Sequence, residues 1–144
     1  MTLPPVARWV VSAAHHRVAA IRADNAARVA AFVRGRSSAW RATLVCGDWN
    51  VAAEDPATGE PTAAFLELRR LLGEPVDAFR ARHPDARASP GLTYDASRNP
   101  LCVDAGVCER IDYVFVEGAA VDDARVHDDS DDSDHYAVSA SIRL

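Results

Sequence analysis

Hydrophobic and polar positions alternate along this chain in blocks that predict a mixed fold. Arg8 to Ala14 is a nearly unbroken apolar run, read as a short strand that ends at His15-His16. From Arg17 to Val33, the apolar residues Val18, Ile21, Val29, Phe32 and Val33 recur at roughly helical spacing among Ala and Arg, so an amphipathic helix follows, closed by Gly35. Ala42 to Cys46 is apolar and β-branched enough for a buried strand, and its C-terminal end delivers Gly47-Asp48-Trp49-Asn50 into a loop.

Pro61 opens a second predicted helix running to about Leu72, with Phe65, Leu68, Leu71 and Leu72 on one side and Gly73 as its stop. Pro75 to Phe79 reads as a short extended piece. The stretch from His83 to Arg110 is loop-like, punctuated by Pro84, Pro90, Gly91, Pro100 and Gly106. Ile111 to Val116, Ala119 to Val126 and Tyr136 to Leu144 read as strands, the last with Tyr136, Val138, Ala140 and Ile142 alternating. The order predicts an α+β or α/β arrangement in a single domain over residues 1–144, without internal repeats.

Composition narrows the function classes. The 144 residues, 49% of them hydrophobic, can bury an ordinary core. No apolar run is long enough to cross a bilayer and the N-terminal residues lack the pattern of a signal peptide, so a soluble, cytoplasmic protein is expected. A formal net charge of −5 argues against gripping nucleic acid through a broad basic face. It leaves open an enzyme that handles one phosphate through a metal. Three cysteines do not suggest a secreted disulfide framework. Cys46 reads as a core residue, and Cys102 and Cys108 as reduced loop cysteines or a small bridged loop.

The chemistry gathers at predicted strand ends. Asp48 and Asp134 are the carboxylates best placed to hold a hard cation such as Mg²⁺ or Mn²⁺, which takes few protein ligands and keeps several waters. Asn50, two residues from Asp48 in an extended segment, would point to the same side and offer its amide to a phosphoryl oxygen. The alternative for Asp48-x-Asn50 is a turn held by Asx hydrogen bonds. Asp112 lies in the apolar strand Arg110-Ile111-Asp112-Tyr113-Val114-Phe115-Val116 and needs a partner, for which His135 on a neighbouring strand is suited. Such a bond would fix the imidazole tautomer and favour its charged form. His15, at the end of the first predicted strand, either faces the same pocket or lies on the surface.

Taken in order, a strand ending in His15, a helix with Arg28, Gly47-Asp48-Trp49-Asn50, Gly91-Leu92-Thr93-Tyr94-Asp95, Arg110-Ile111-Asp112-Tyr113 and Ser133-Asp134-His135 resemble the endonuclease/exonuclease/phosphatase superfamily. Its members include deoxyribonuclease I, abasic-site endonucleases, inositol polyphosphate 5-phosphatases and neutral sphingomyelinases. The resemblance implies a two-sheet sandwich flanked by helices and a divalent-metal-dependent phosphoesterase acting by in-line attack of water. It implies His15 as a phosphate contact, Asp48 and Asn50 as the pair orienting water and phosphate, and Asp112 as the support of a catalytic His135. Asp134 would be a metal-site or His-orienting carboxylate. Thr93-Tyr94-Asp95 with Asn99-Pro100 is similar to the substrate-side loop of some members, and Tyr113 leans toward sphingomyelinase-like and nuclease-like ones.

One departure stands beside the match. The family carries an Asn at the end of an opening strand and a metal-binding Glu in a strand reading like Leu-Gln-Glu, and nothing before Arg8 matches either. The chain is therefore expected to be the C-terminal part of the domain, with its N-terminal half missing. Its partners would be a phosphoester (nucleic acid, phospholipid or inositol phosphate) and a complementing N-terminal half. The alternative is a catalytically inert remnant that binds a partner through its uncovered sheet.

Overall fold

The computed structural model describes residues 5–35, 40–130 and 132–144, with side chains described from residue 18 onward. The elements run α1 (Pro5–Arg34), β1 (Thr43–Asp48), α2 (Ala63–Leu72), β2 (Val76–Asp77), α3 (Ala78–Arg82), β3 (Tyr94–Asp95), β4 (Cys108–Glu109), β5 (Asp112–Glu117), β6 (Ala120–His127) and β7 (Ala137–Arg143). This is an α+β arrangement of helices and antiparallel sheets. Among the described residues, no helix is long and apolar enough to cross a membrane.

The described residues form three small sheets, in the orders β1-β5-β2, β3-β4 and β6-β7. The alternation of β5 decides how they stack. Its Tyr113 and Phe115 point to one face and pack with Phe65 and Leu68 of α2, Ala26 of α1, and Val51 and Ala53. Val114 and Val116 point to the other face, where Phe79 of α3 and the apolar side of the β6-β7 hairpin cover them. A fully buried Phe or Leu contributes about 1.5–3 kcal/mol relative to exposure. Both faces of β5 are therefore held, and a central strand covered on both sides places its first residue, Asp112, rigidly.

The signals at α2 are local. Thr62 Oγ1 accepts the Phe65 N–H as N-cap, and Gly73, at φ 92°, ends the helix in the left-handed region that glycine enters without steric cost. Phe65 and Leu68 are its buried residues. Thr62, not Pro61, makes the helix start.

Three expectations are corrected. Arg8 to Ala14 is not a strand but part of α1, which continues unbroken from Pro5 to Arg34. A continuous apolar run carries no period to separate strand from helix, and here it is contiguous with a helical segment that it continues. Cys46 is exposed rather than in the core. It lies on β1, the terminal strand of its sheet, beside an equally uncovered Leu44. The stretch read as loop between His83 and Arg110 contains the short β3-β4 ladder, Tyr94 opposite Glu109 and Asp95 opposite Cys108.

Candidate active site

β1 and β5 run antiparallel in a register that sets Asp48 directly opposite Asp112. Opposite residues in an antiparallel pair project to the same face, so the two carboxylates share one side of the sheet at its end. Beyond Asp48 the chain turns. The Asn50 N–H donates to Asp48 Oδ1 and the Asn50 Nδ2 amide to Asp48 Oδ2, both at 2.7 Å. Asn50 is not extended but left-handed, at φ 51°. The Asx turn weighed from the sequence and the convergence of Asp48 with Asn50 are thus one arrangement. Trp49 N–H donates to Ile111 O (3.0 Å), which ties the turn to the residue before Asp112.

His135 comes from the other sheet, two residues ahead of β7. Its Nδ1 lies 2.8 Å from Asp112 Oδ2, as the sequence argument expected of this pair. A carboxylate only accepts, so the proton sits on Nδ1 and Nε2 is the ring atom offered to a reactant. Burial works against the charged imidazolium. The Asp112 hydrogen bond and the charges of Asp112, Asp48 and Asp134 outweigh it, and the His135 pKa is raised above its ordinary value. The Tyr94 ring packs against the imidazole in a T-shaped contact, 5.2 Å between centroids.

One ligand atom each from Asp48, Asp112 and His135 falls within 4.8 Å of the others. Two facing carboxylates at that spacing fit a hard divalent cation that keeps most of its waters. Asp134 is outside this group. Its side chain is exposed, and its Oδ1 accepts the Ser133 hydroxyl at 3.3 Å. His15 falls within α1, but its side chain lies outside the described residues.

The segment expected on the substrate side is instead buried beneath the site: Thr93, Tyr94, Asp95 and Asn99 are all 5% exposed or less. Asn99 Nδ2 donates to Ser133 O (2.8 Å) and the Cys102 thiol to Asp134 O (3.2 Å). These polar side chains are spent on the backbone that carries His135.

In the sequence Arg110 stands only as part of the Arg110-Ile111-Asp112-Tyr113 motif. The structure makes it the hub of a buried ion network: Nη2 donates to Glu54 Oε1 at 2.7 Å, and Nη1 stands 2.7 Å from Asp77 Oδ2. The second contact is a buried charge pair, and among the described residues neither Nη1 nor Oδ2 has a further hydrogen-bond partner. Glu54 also accepts from Arg80 Nε at 3.0 Å. The network joins the loop after Asp48, the β2-α3 junction and the residue two before Asp112. The Tyr113 hydroxyl reaches the carbonyls of Val51 and Arg110 from below. The one sequence signal for this role was a lone Arg abutting an apolar strand.

Residues 3–135 match the family model described as the Endonuclease/Exonuclease/phosphatase family. No curated protein and no solved structure matches the chain.

Proposed function

The chain belongs to the endonuclease/exonuclease/phosphatase family, and on that premise we propose that it is a divalent-metal-dependent phosphoesterase whose working groups are Asp48, Asn50, Asp112 and His135. The observation that carries this reading is the Asp112–His135 pair standing over Asp48, with all three within 4.8 Å.

Each side chain has a task its geometry supports. Asp48 accepts a proton from the attacking water and aims its oxygen at phosphorus. Asn50 gives one amide hydrogen to Asp48 and keeps the second for a phosphoryl oxygen. His135, charged and held by Asp112, donates from Nε2 to an oxygen that gains charge in the transition state. His15 is proposed as a further phosphate contact on family grounds.

Members of the family are generally divalent-metal dependent. Asp48 with Asp112 or Asp134 would hold Mg²⁺ or Mn²⁺, which neutralises phosphoryl charge and lowers the pKa of water when bound. The proposed substrate is a phosphodiester of nucleic-acid or phospholipid type. Tyr113 does not discriminate between these, because it is 2% exposed and its hydroxyl is spent on backbone carbonyls.

A second reading, a partial sandwich completed by a separate segment or an inert module that binds one, is favoured by a specific feature. β1 ends its sheet with Leu44 45% exposed and Cys46 exposed beside it, an uncovered apolar edge of the kind that another chain can pair. The test is Mg²⁺-dependent hydrolysis of bis(p-nitrophenyl) phosphate by the 144-residue chain, with Asp48→Ala and His135→Ala alongside. Turnover that falls by about 10²-fold or more in either variant supports the first reading. Equal turnover in all three overturns it, and silence of the unaltered chain favours the second.

A further inference from the structure

Asp112 lies in one sheet and His135 in the segment that leads into another. Asp112 opens β5 of the β1-β5-β2 sheet, whereas His135 precedes β7 of the β6-β7 sheet. Among the described residues no ladder joins these sheets, so the 2.8 Å contact between the two side chains depends on something that crosses from one to the other.

Thr93 makes that crossing. Its Oγ1 accepts the N–H of Ile111 at 3.0 Å and of Asp112 at 3.1 Å, fixing the backbone that carries the carboxylate. Its carbonyl accepts the N–H of Tyr136 at 2.7 Å, fixing the backbone next to the imidazole. Its own N–H donates to Glu109 O at 3.0 Å, which anchors it to β4. The residue is 0% exposed. Asn99 and Cys102, from the same loop, hold the carbonyls of Ser133 and Asp134, so the segment before Tyr136 is fastened to the Thr93 side as well.

We propose that Thr93 is the positioning residue of the Asp112–His135 pair, one residue whose side-chain hydroxyl and main-chain carbonyl set the distance between a carboxylate on one sheet and an imidazole just ahead of another. The proposal rests on the reading of that pair as catalytic. It explains why a hydroxyl is buried here: its oxygen accepts from both N–H groups, and the isosteric Val leaves both unpaired. A displacement of about 1 Å between catalytic groups can cost 10²-fold in rate.

The test compares Thr93→Val with Thr93→Ser in the 144-residue chain, using two readouts. In nuclear magnetic resonance spectra, a Nδ1–H shared with Asp112 gives a downfield, slowly exchanging ring proton, assigned by its loss in His135→Gln. This proton is expected to persist in Thr93→Ser and to disappear in a folded Thr93→Val. In phosphodiester hydrolysis, Thr93→Val is expected to lower kcat about 10²-fold with KM within about twofold, and Thr93→Ser to restore most of it. Retention of the ring proton in Thr93→Val, or its loss in a folded Thr93→Ser, overturns the proposal.

If Thr93→Val does not fold, hydrogen exchange in the unaltered chain decides. Protected Ile111 and Asp112 amides support the clamp, and amides exchanging as freely as those of an open loop refute it. Absence of hydrolysis in the unaltered chain, with a ring proton that still follows the Thr93 hydroxyl, would sink the enzymatic reading and leave the positioning role intact.

Discussion

Asp48 and Asp112 occupy directly opposed positions at the end of the β1/β5 pair, so two carboxylates face one another where cross-strand neighbours are usually apolar or of opposite charge. Like charges in that relationship are destabilising, by a few tenths to about 1 kcal/mol. His135 offsets one of them through its 2.8 Å contact with Asp112. Asp48, among the described residues, is hydrogen-bonded by the N–H groups of Asn50, which are dipoles and not a charge. The local charge is thus unbalanced in a way that a divalent cation corrects.

Divalent metal is therefore expected to stabilise the fold. At a concentration tenfold above Kd, binding to the native state contributes about 1.4 kcal/mol, which raises the Tm of a domain of this size by roughly 4 °C. Thermal melts of chelator-stripped protein with and without Mg²⁺ or Mn²⁺ measure this. The increment should vanish in Asp48→Ala. An unaltered chain whose Tm is insensitive to both ions at millimolar concentration would show that the facing carboxylates hold no cation.

The His135 shift fixes the sign of a pH dependence. A histidine with a folded pKa raised above 6.5 contributes stability that is fully present below the unfolded value and lost as pH rises through the folded one. The stability difference between the unaltered chain and His135→Gln, measured in chelator, should therefore shrink as pH rises above 6.5. Asp112→Asn removes a charge and weakens the hydrogen bond, and so should bring the His135 midpoint down. A ring titration midpoint at or below the ordinary histidine value would contradict the geometry.

Which parts were legible in the sequence follows from how local each signal is. The limits of α2 lie within a dozen residues, in Thr62, the Phe65–Leu68 spacing and Gly73, so they could be read almost to the residue. Asp48, Asp112 and His135 stood out because each is a polar residue at the end of an apolar strand. The helical state of Arg8 to Ala14 could not be read from a run without a period, and the exposure of Cys46 depends on which strand lies at the end of its sheet. Thr93 and Arg110 owe their roles to partners far along the chain, 18 residues for Thr93–Ile111 and 56 for Arg110–Glu54. No pattern in the sequence brings those together.

Arg110 should be among the residues least tolerant of change. Its side chain is 2% exposed, paired with Glu54 and Asp77, and its guanidinium stacks 5.0 Å from the Tyr113 ring centroid. Removing one partner of a buried ion pair typically costs about 3–5 kcal/mol, because the other charge is left without compensation. Arg110→Met is expected to lose that much in urea unfolding, with Asp77 the stranded group. Arg110→Lys should recover little, since an ammonium cannot span both carboxylates as a planar fork does. A loss below about 1 kcal/mol in Arg110→Met would mean that the aromatic packing and not the charge holds this junction.

Asn50 combines a backbone role with a chemical one, and two substitutions separate them. At φ 51° the position lies in the left-handed region, where Asn is tolerated, Gly is at ease and Ala is strained by about 1–2 kcal/mol. Asn50→Gly keeps the N–H that donates to Asp48 Oδ1 and loses the amide on Oδ2, an exposed bond. It should remain within about 1 kcal/mol of the unaltered chain, whereas Asn50→Ala should be less stable by the strain. Both variants lack the donor proposed for the phosphoryl oxygen, and loss of one such donor costs about 10²–10³ in kcat. If the amide serves catalysis, the two variants fall together in rate while differing in Tm. If Asn50 serves only the turn, Asn50→Gly retains its rate and the loss in Asn50→Ala tracks its unfolding, which would remove the amide from the mechanism and leave Asp48 and His135 to carry it.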